Sequence, residues 1–421
     1  MKALLFIALI LASSCTIIED EPQLPIEEET EIEYLEESGE LFDIPEEVIE
    51  EVEEEVIEEA EEEEVLEEED LENEVEVIDD DAEVDDIDNA FEIPDEEFPE
   101  ERNPVFPLTS TSTGAKYYKD FTKSPAYKKY TKFAKLYQSK YTSIMPGVTS
   151  TDVNGKTCKT MVPQGICIAK DYLLISAYDS NGKYKSVLYV MSNSEPSNRK
   201  YLMTLVLPIS GHVGGIAFDG SYVWVANGKK ASSIKYSTLK SKVTSAVSAK
   251  KSSVSISFST SCSVLTQASF MTYYDNLLWV GLFTEKGKGD GNMYGYKISS
   301  DRKKLTKKYR MTVPDRTQGA CFKDGYLFLS RSYSRNVGSS TYISQMRIYK
   351  PSFSKPTSAG LIYKNDAKKT ITLPPMSEGI VAGSTYIYNI FESCATKYKS
   401  CKYPVDRIVA YKFDSLIKWK G

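Results

Sequence analysis

The chain holds a single histidine, His212, and neither a CxxC pair nor a Cys/His cluster. That argues against structural zinc, whose sites draw four thiolate or imidazole ligands from tight spacings. Thr284–Asn292, TEKGKGDGN, has the glycines of a phosphate loop but neither the P-loop spacing nor the alternate acids of a calcium loop. It reads as a flexible basic loop, and no metal or cofactor is expected. A Ser-His-Asp catalyst would have to use His212, and no nucleophile elbow accompanies it. After the first fifteen residues no apolar run approaches the 20 or so needed to cross a bilayer as a helix. Nor does any Lys or Arg occur between residues 19 and 101.

That last absence divides the chain. Residues 19–101 hold 45 of the 62 acids, and Lys2 is the only base before residue 102. Residues 102–421 therefore carry 17 acids against 49 Lys and Arg, a formal charge near +32 inside a chain whose overall charge is −12. Two physically different objects share one backbone.

Residues 1–15, MKALLFIALILASSC, place one Lys before a short apolar run and end on small residues and Cys15. This is the pattern of an export signal. The Ala12-Ser13-Ser14-Cys15 end resembles a bacterial lipobox, which implies cleavage before Cys15 and acylation of it. The expected address is exported and lipid-anchored to a bacterial membrane, periplasmic or cell-surface. Such a compartment permits disulfides. Cys394 and Cys401 lie in one loop and are expected to pair, whereas Cys167 and Cys321 fall in equivalent strand slots and read as small buried residues.

Residues 16–104 read as a disordered acidic tether, because Glu-rich runs such as EEVIEEVEEEVIEEAEEEEVLEEED bury too little apolar surface to offset chain entropy. Residues 105–148 form a basic region. Ser124-Pro125 there makes a helix start, and Ala126, Tyr130, Phe133, Ala134, Tyr137 and Tyr141 share one face. One amphipathic helix is expected, packed on the domain that follows.

From residue 149 to 421 the chain repeats itself. MVPQGICIAKDYLLISAY at Met161–Tyr178 returns as TQGACFKDGYLFLSRSY at Thr317–Tyr333 and SEGIVAGSTYIYNIFES at Ser377–Ser393, with looser copies at Gly211–Gly228 and Thr266–Phe283. The marker positions Gln164, His212, Gln267, Gln318 and Glu378 lie 48, 55, 51 and 60 residues apart. Each interval fits four short strands, and four-stranded antiparallel units at this period are propeller blades. The fold class is all-β, a five-bladed β-propeller. In repeat one the strands are expected near 165–169, 172–178, 186–191 and 201–207. The fifth blade lacks a last strand of its own, so a strand from about 141–150 should close the ring and remove an open sheet edge.

The turns between first and second strands are minimal, whereas the loops on the other rim, such as Asp179–Lys185, Arg331–Ser344 and Glu392–Tyr403, are long and polar. Binding residues usually lie on such loops. The candidates are Gln164, His212, Gln267, Gln318 and Glu378 around the axis, with Tyr178, Arg331, Arg335 and Glu392 beside them. Glu378 and Glu392 can form a carboxylate pair, and with His212 they are the candidates for catalysis.

The repeats over about 155–415 resemble exported propellers of the gluconolactonase and regucalcin-like type, through their polar-Gly-hydrophobic starts and Asp-Gly turns. The metal-ligand set of those families is not evident here. Thr317-Gln318-Gly319 and Phe391-Glu392-Ser393 also resemble motifs of the plant-type glutamine cyclotransferases, which implies Glu392 as an acid/base. Two functions stay open. One is a non-catalytic binder of an anionic polymer, glycan or protein on the long-loop rim, without specific nucleic-acid recognition. The other is a cyclotransferase-like or glycan-cleaving enzyme using Glu378 and Glu392.

Overall fold

The computed structural model describes residues 118–193, 199–285, 287–332, 344–351 and 367–420. The expected signal segment and acidic tether, Cys15 and Arg335 lie outside the described residues.

The β-branched and aromatic runs form five sheets of four or five strands, arranged as the five blades of a propeller, and a separate two-stranded hairpin of Thr151–Val153 with Lys156–Cys158. Blade 1 comprises Met161–Ala169, Tyr172–Asp179, Val187–Ser192 and Tyr201–Val206. Its second strand is buried along its whole length, as a strand packed between two neighbouring sheets must be. Blade 2 starts at Ile216–Phe218, blade 3 at Phe270–Tyr274, blade 4 at Thr317–Lys323 and blade 5 at Ser377–Ala382. Each of these is the innermost strand of its sheet. The tight turns carry the left-handed backbone that two-residue hairpins demand: Asp275 and Asn276 have φ of 51° and 57°, Asp324 and Gly325 of 50° and 76°.

The ring closes across the chain ends. Ser143–Ile144 pairs antiparallel with Arg407–Lys412 and supplies the outer strand of blade 5. Among the described residues no single core fills the propeller. Apolar clusters sit instead between successive blades: Trp224 and Leu278 join blades 2 and 3, Trp279 and Leu329 join blades 3 and 4, and Tyr189 and Ile390 join blades 1 and 5.

The segment before the propeller differs from the expected single helix. It is split into α1, Pro125–Lys129, and α2, Thr131–Leu136, because Tyr130 leaves the helical region at φ −99° and ψ 75°. The break turns Tyr130 onto Tyr403 at 5.5 Å while Phe133 reaches Phe391 and Tyr411. Ala126, Tyr130, Phe133 and Tyr137 are buried, so the apolar face read from the sequence is the face that packs. Asp406 accepts a hydrogen bond from the Tyr118 amide and Arg407 donates to its carbonyl, clamping the incoming chain to blade 5.

Two unforeseen elements reshape blades 1 and 2. Helix α3, Tyr236–Ser248, interrupts blade 2 and buries Leu239, Val243 and Ala246 on blade 1. Ser253–Ser255 then pairs in parallel with Tyr201–Val206 as a fifth strand of blade 1. The Ser- and Thr-rich helix has modest intrinsic propensity, so tertiary packing decides its state.

Candidate functional site

The repeated polar-Gly-hydrophobic start has a steric cause. The inner strands of five blades approach so closely that little fits between them. A Cβ on Gly319 would lie 2.9 Å from the Glu378 carbonyl oxygen, and one on Gly379 would lie 2.9 Å from that of Gln164. The axial cavity among Gly165, Gly214, Gly319 and Gly379 is only about 10 Å³, room for about one water. The axis admits nothing larger, which leaves its mouth as the candidate site along it.

Beside these glycines the inner strand slips register in three blades: between Pro163 and Ile166, Thr317 and Gly319, and Ser377 and Ile380. A β-bulge inserts an extra residue and re-aims side chains. The bulged segments hold Gln164, Gln318 and Glu378. A buried hydroxyl and a buried amide fix two of the bulges: Ser176 Oγ accepts from Gly165 N at 2.9 Å, and Asn389 Nδ2 donates to Gly379 O at 3.0 Å.

What converges is a carboxyl pair in an amide frame. Glu378 is 2 % exposed and shares a hydrogen bond with half-buried Glu392. Gln318 Nε2 donates to Glu378 Oε1 at 3.1 Å, and Gln164 Nε2 donates to Glu392 Oε2 at 3.2 Å. Tyr398 is hydrogen-bonded to Glu392 from the loop that follows. Desolvation pushes both carboxyls above the ordinary range, and the charge of Glu392 pushes Glu378 further. Two carboxyls in hydrogen-bond contact cannot both ionise readily, so one proton is held between them near neutral pH.

A second group adjoins the pair. His212 stacks on Tyr178 with ring centroids 3.8 Å apart and its outer face exposed. Removal of water by this stacking lowers the His212 pKa, and nearby Lys397 lowers it further. Lys397 Nζ donates to Tyr178 OH at 2.9 Å and lies 5.2 Å from the Tyr398 ring centroid.

Six sequence candidates thus meet at one mouth: Gln164, Gln318, Glu378, Glu392, Tyr178 and His212. Two do not. Gln267 is exposed, three residues ahead of the inner strand Phe270–Tyr274. Arg331 is buried and committed to Asp315, whose carbonyl accepts from its Nε at 2.7 Å and whose carboxylate pairs with its Nη2. Lys397 and Tyr398 were missed. Their only sequence signal was a place in the loop that follows Glu392, whose 3-10 turn, Thr396–Tyr398, folds back on it. Cys394 and Cys401, expected to pair, are both thiols and not a disulfide in this structure, the first buried and the second half-buried on the same loop.

No known protein family matches the chain, and no curated protein does. Among solved structures, a chain of a nidogen/laminin complex is similar over 55 % of this chain and 73 % of that one, at 7 % identity and a TM-score of 0.28. That likeness carries no argument about ligand or partner.

Proposed function

We propose that this chain is an exported, lipid-anchored propeller that binds a glycan at the mouth of its axis without cleaving it. The observation that supports this most is the convergence of Glu378, Glu392, Gln164 and Gln318, a set of carboxyl and amide groups suited to hydroxyl donors and acceptors. With one proton on the pair and one ammonium at Lys397, the mouth is close to neutral, which favours an uncharged ligand over a polyanion. The exposed His212 face and the half-buried Tyr398 supply flat surface beside these polar groups, the mixture that small-ligand sites use.

The pair is in hydrogen-bond contact. Two-carboxylate glycosidases hold theirs about 5–9.5 Å apart to admit a sugar or a water. This separation weighs against glycan cleavage. Titration of neutral oligosaccharides by calorimetry tests the binding reading. Saturable binding lost in Glu392→Gln supports it, and unchanged affinity in that variant rejects this mouth as the site.

A second reading rests on Glu392 alone. A carboxyl pushed up to about 7 is matched to proton transfer at neutral pH, as a cyclotransferase-like reaction requires. Turnover of N-terminal glutaminyl peptides, abolished in Glu392→Gln, would replace binding with catalysis.

A further inference from the structure

On the opposite rim, between blades 2 and 3, lies a cavity of about 480 Å³, within the range of about 300–1,000 Å³ typical of small-ligand sites. It is lined by Lys297, Arg302 and Lys308 together with Tyr273 and Tyr309, none of which belongs to the axial mouth.

The local backbone is arranged to bring these groups together. Gly295 pairs with Tyr309 and Tyr296 pairs with Lys307, which leaves Lys308 as the extra residue of a bulge. Successive strand side chains point to opposite faces, so an unbroken strand would send either Lys308 or Tyr309 away from the cavity. The bulge lets both line it. Arg302 sits at φ 59°, a left-handed backbone that side-chain-bearing residues rarely adopt. Its guanidinium is held on three sides: Nε lies 3.4 Å from Asp219 Oδ2, Nη1 donates to Ser300 O at 2.7 Å, and the group stacks 5.0 Å over the Tyr222 ring. Asp219 is itself anchored by Trp224 Nε1 at 3.0 Å. Tyr309 lies near-parallel to Trp279, at 15° and 6.2 Å, and forms a fixed flat wall.

The lining carries three cations against two carboxylates, a net +1: Arg302 is paired with Asp219 through Nε, and Asp275 is the other carboxylate. Lys297 and Lys308 make no ion pair among the described residues. We propose that the cavity binds a sugar ring bearing sulfate or phosphate groups, with the ring against the tyrosines and the oxyanions on Arg302, Lys297 and Lys308. A bulge that only discouraged edge pairing of the outer strand would need no aromatic wall and no fixed Arg behind it.

The test is calorimetric titration of the full chain with a sulfated heparin-derived disaccharide, a hexose phosphate and the desulfated parent disaccharide. The first two separate sulfate from phosphate as the preferred group. The expected result is one-site binding of at least one charged probe. It should weaken tenfold or more in Lys297→Gln/Lys308→Gln, and the desulfated parent should bind at least tenfold more weakly than the sulfated probe. Lys132→Gln/Lys135→Gln on α2 removes the same charge elsewhere and should leave affinity unchanged. Equal weakening in the α2 variant, unchanged binding in Lys297→Gln/Lys308→Gln, equal binding of the desulfated parent, or no saturable binding of either charged probe would each overturn the proposal.

Discussion

Replacing Glu392 with Gln should stabilise the propeller at high pH and not at low pH. Burial raises the Glu392 carboxyl from an ordinary 4.5 to about 7. The folded state therefore holds this proton more tightly than the unfolded chain does. Stability from this group is greatest below about pH 4.5, falls as pH rises toward 7, and stays at the lower level above it. A shift of this size corresponds to somewhat over about 3 kcal/mol. Glu392 is only half-buried and shares its proton with Glu378, so about 2 kcal/mol is the better expectation at pH 8. The introduced glutamine would carry no charge, could donate to the Glu378 carboxylate, and could still accept from Gln164. For a domain of this size about 2 kcal/mol corresponds to a Tm increase of roughly 4 °C. Melting curves by circular dichroism at pH 5, 6, 7 and 8 for both proteins measure this. Because every other titrating group is common to the two chains, the difference in Tm isolates the pair. A difference that stays constant from pH 5 to 8, or a variant that is less stable at pH 8, would refute the shared-proton account.

Gly214→Ala should cost several kcal/mol in urea unfolding, since the new Cβ would overlap the Ser269 carbonyl oxygen and backbone cannot swing aside; a loss under about 1 kcal/mol would contradict the packing at the axis. If Cys15 is acylated, globomycin should leave an uncleaved precursor, and normal processing of Cys15→Ala would rule that out. If Cys394 and Cys401 pair in an oxidising compartment, thiol titration of the exported, unfolded protein should find two fewer reactive sulfurs than after reduction, and peptide mapping should join those two residues. Deleting residues 16–104 should tighten heparin binding to the +32 segment, with a gap that shrinks as salt shortens the Debye length from about 10 Å to about 3 Å; equal binding at low salt would make the acidic segment a spacer and no more.

The periodic part of this molecule was legible because its causes are local. Strand ends in blade 1 were read to within about four residues, and blade number followed from the spacing of Gln164, His212, Gln267, Gln318 and Glu378. The same spacing misled at Gln267. Gln164 and Glu378 reach the axis on bulges fixed by hydrogen bonds from Ser176 and Asn389, each in a different strand from the residues it positions, and marker spacing does not report such bonds. Arg331 looked available because its partner Asp315, sixteen residues earlier, belongs to a loop the repeat pattern does not describe. Lys397 and Tyr398 escaped notice for a similar reason: only the fold-back of their turn brings them over Glu392. Helix α3 was invisible because its apolar positions are few and the propensity of its Ser and Thr residues is modest.

The seam in blade 5 dictates when this protein can finish folding. Ser143 finds its partner in Ile408, nearly the whole domain away, so blades 1 to 4 are synthesised with one flank of the ring still open. Contacts this distant in sequence form slowly, and the last blade cannot seal until residues 407–412 have arrived. A nascent chain stalled before that point would present the apolar sides of blades 1 and 4 and an unpaired edge, the surfaces that aggregate. A chain truncated just before Arg407 should thus be an obligate client of chaperones rather than a slightly shortened propeller.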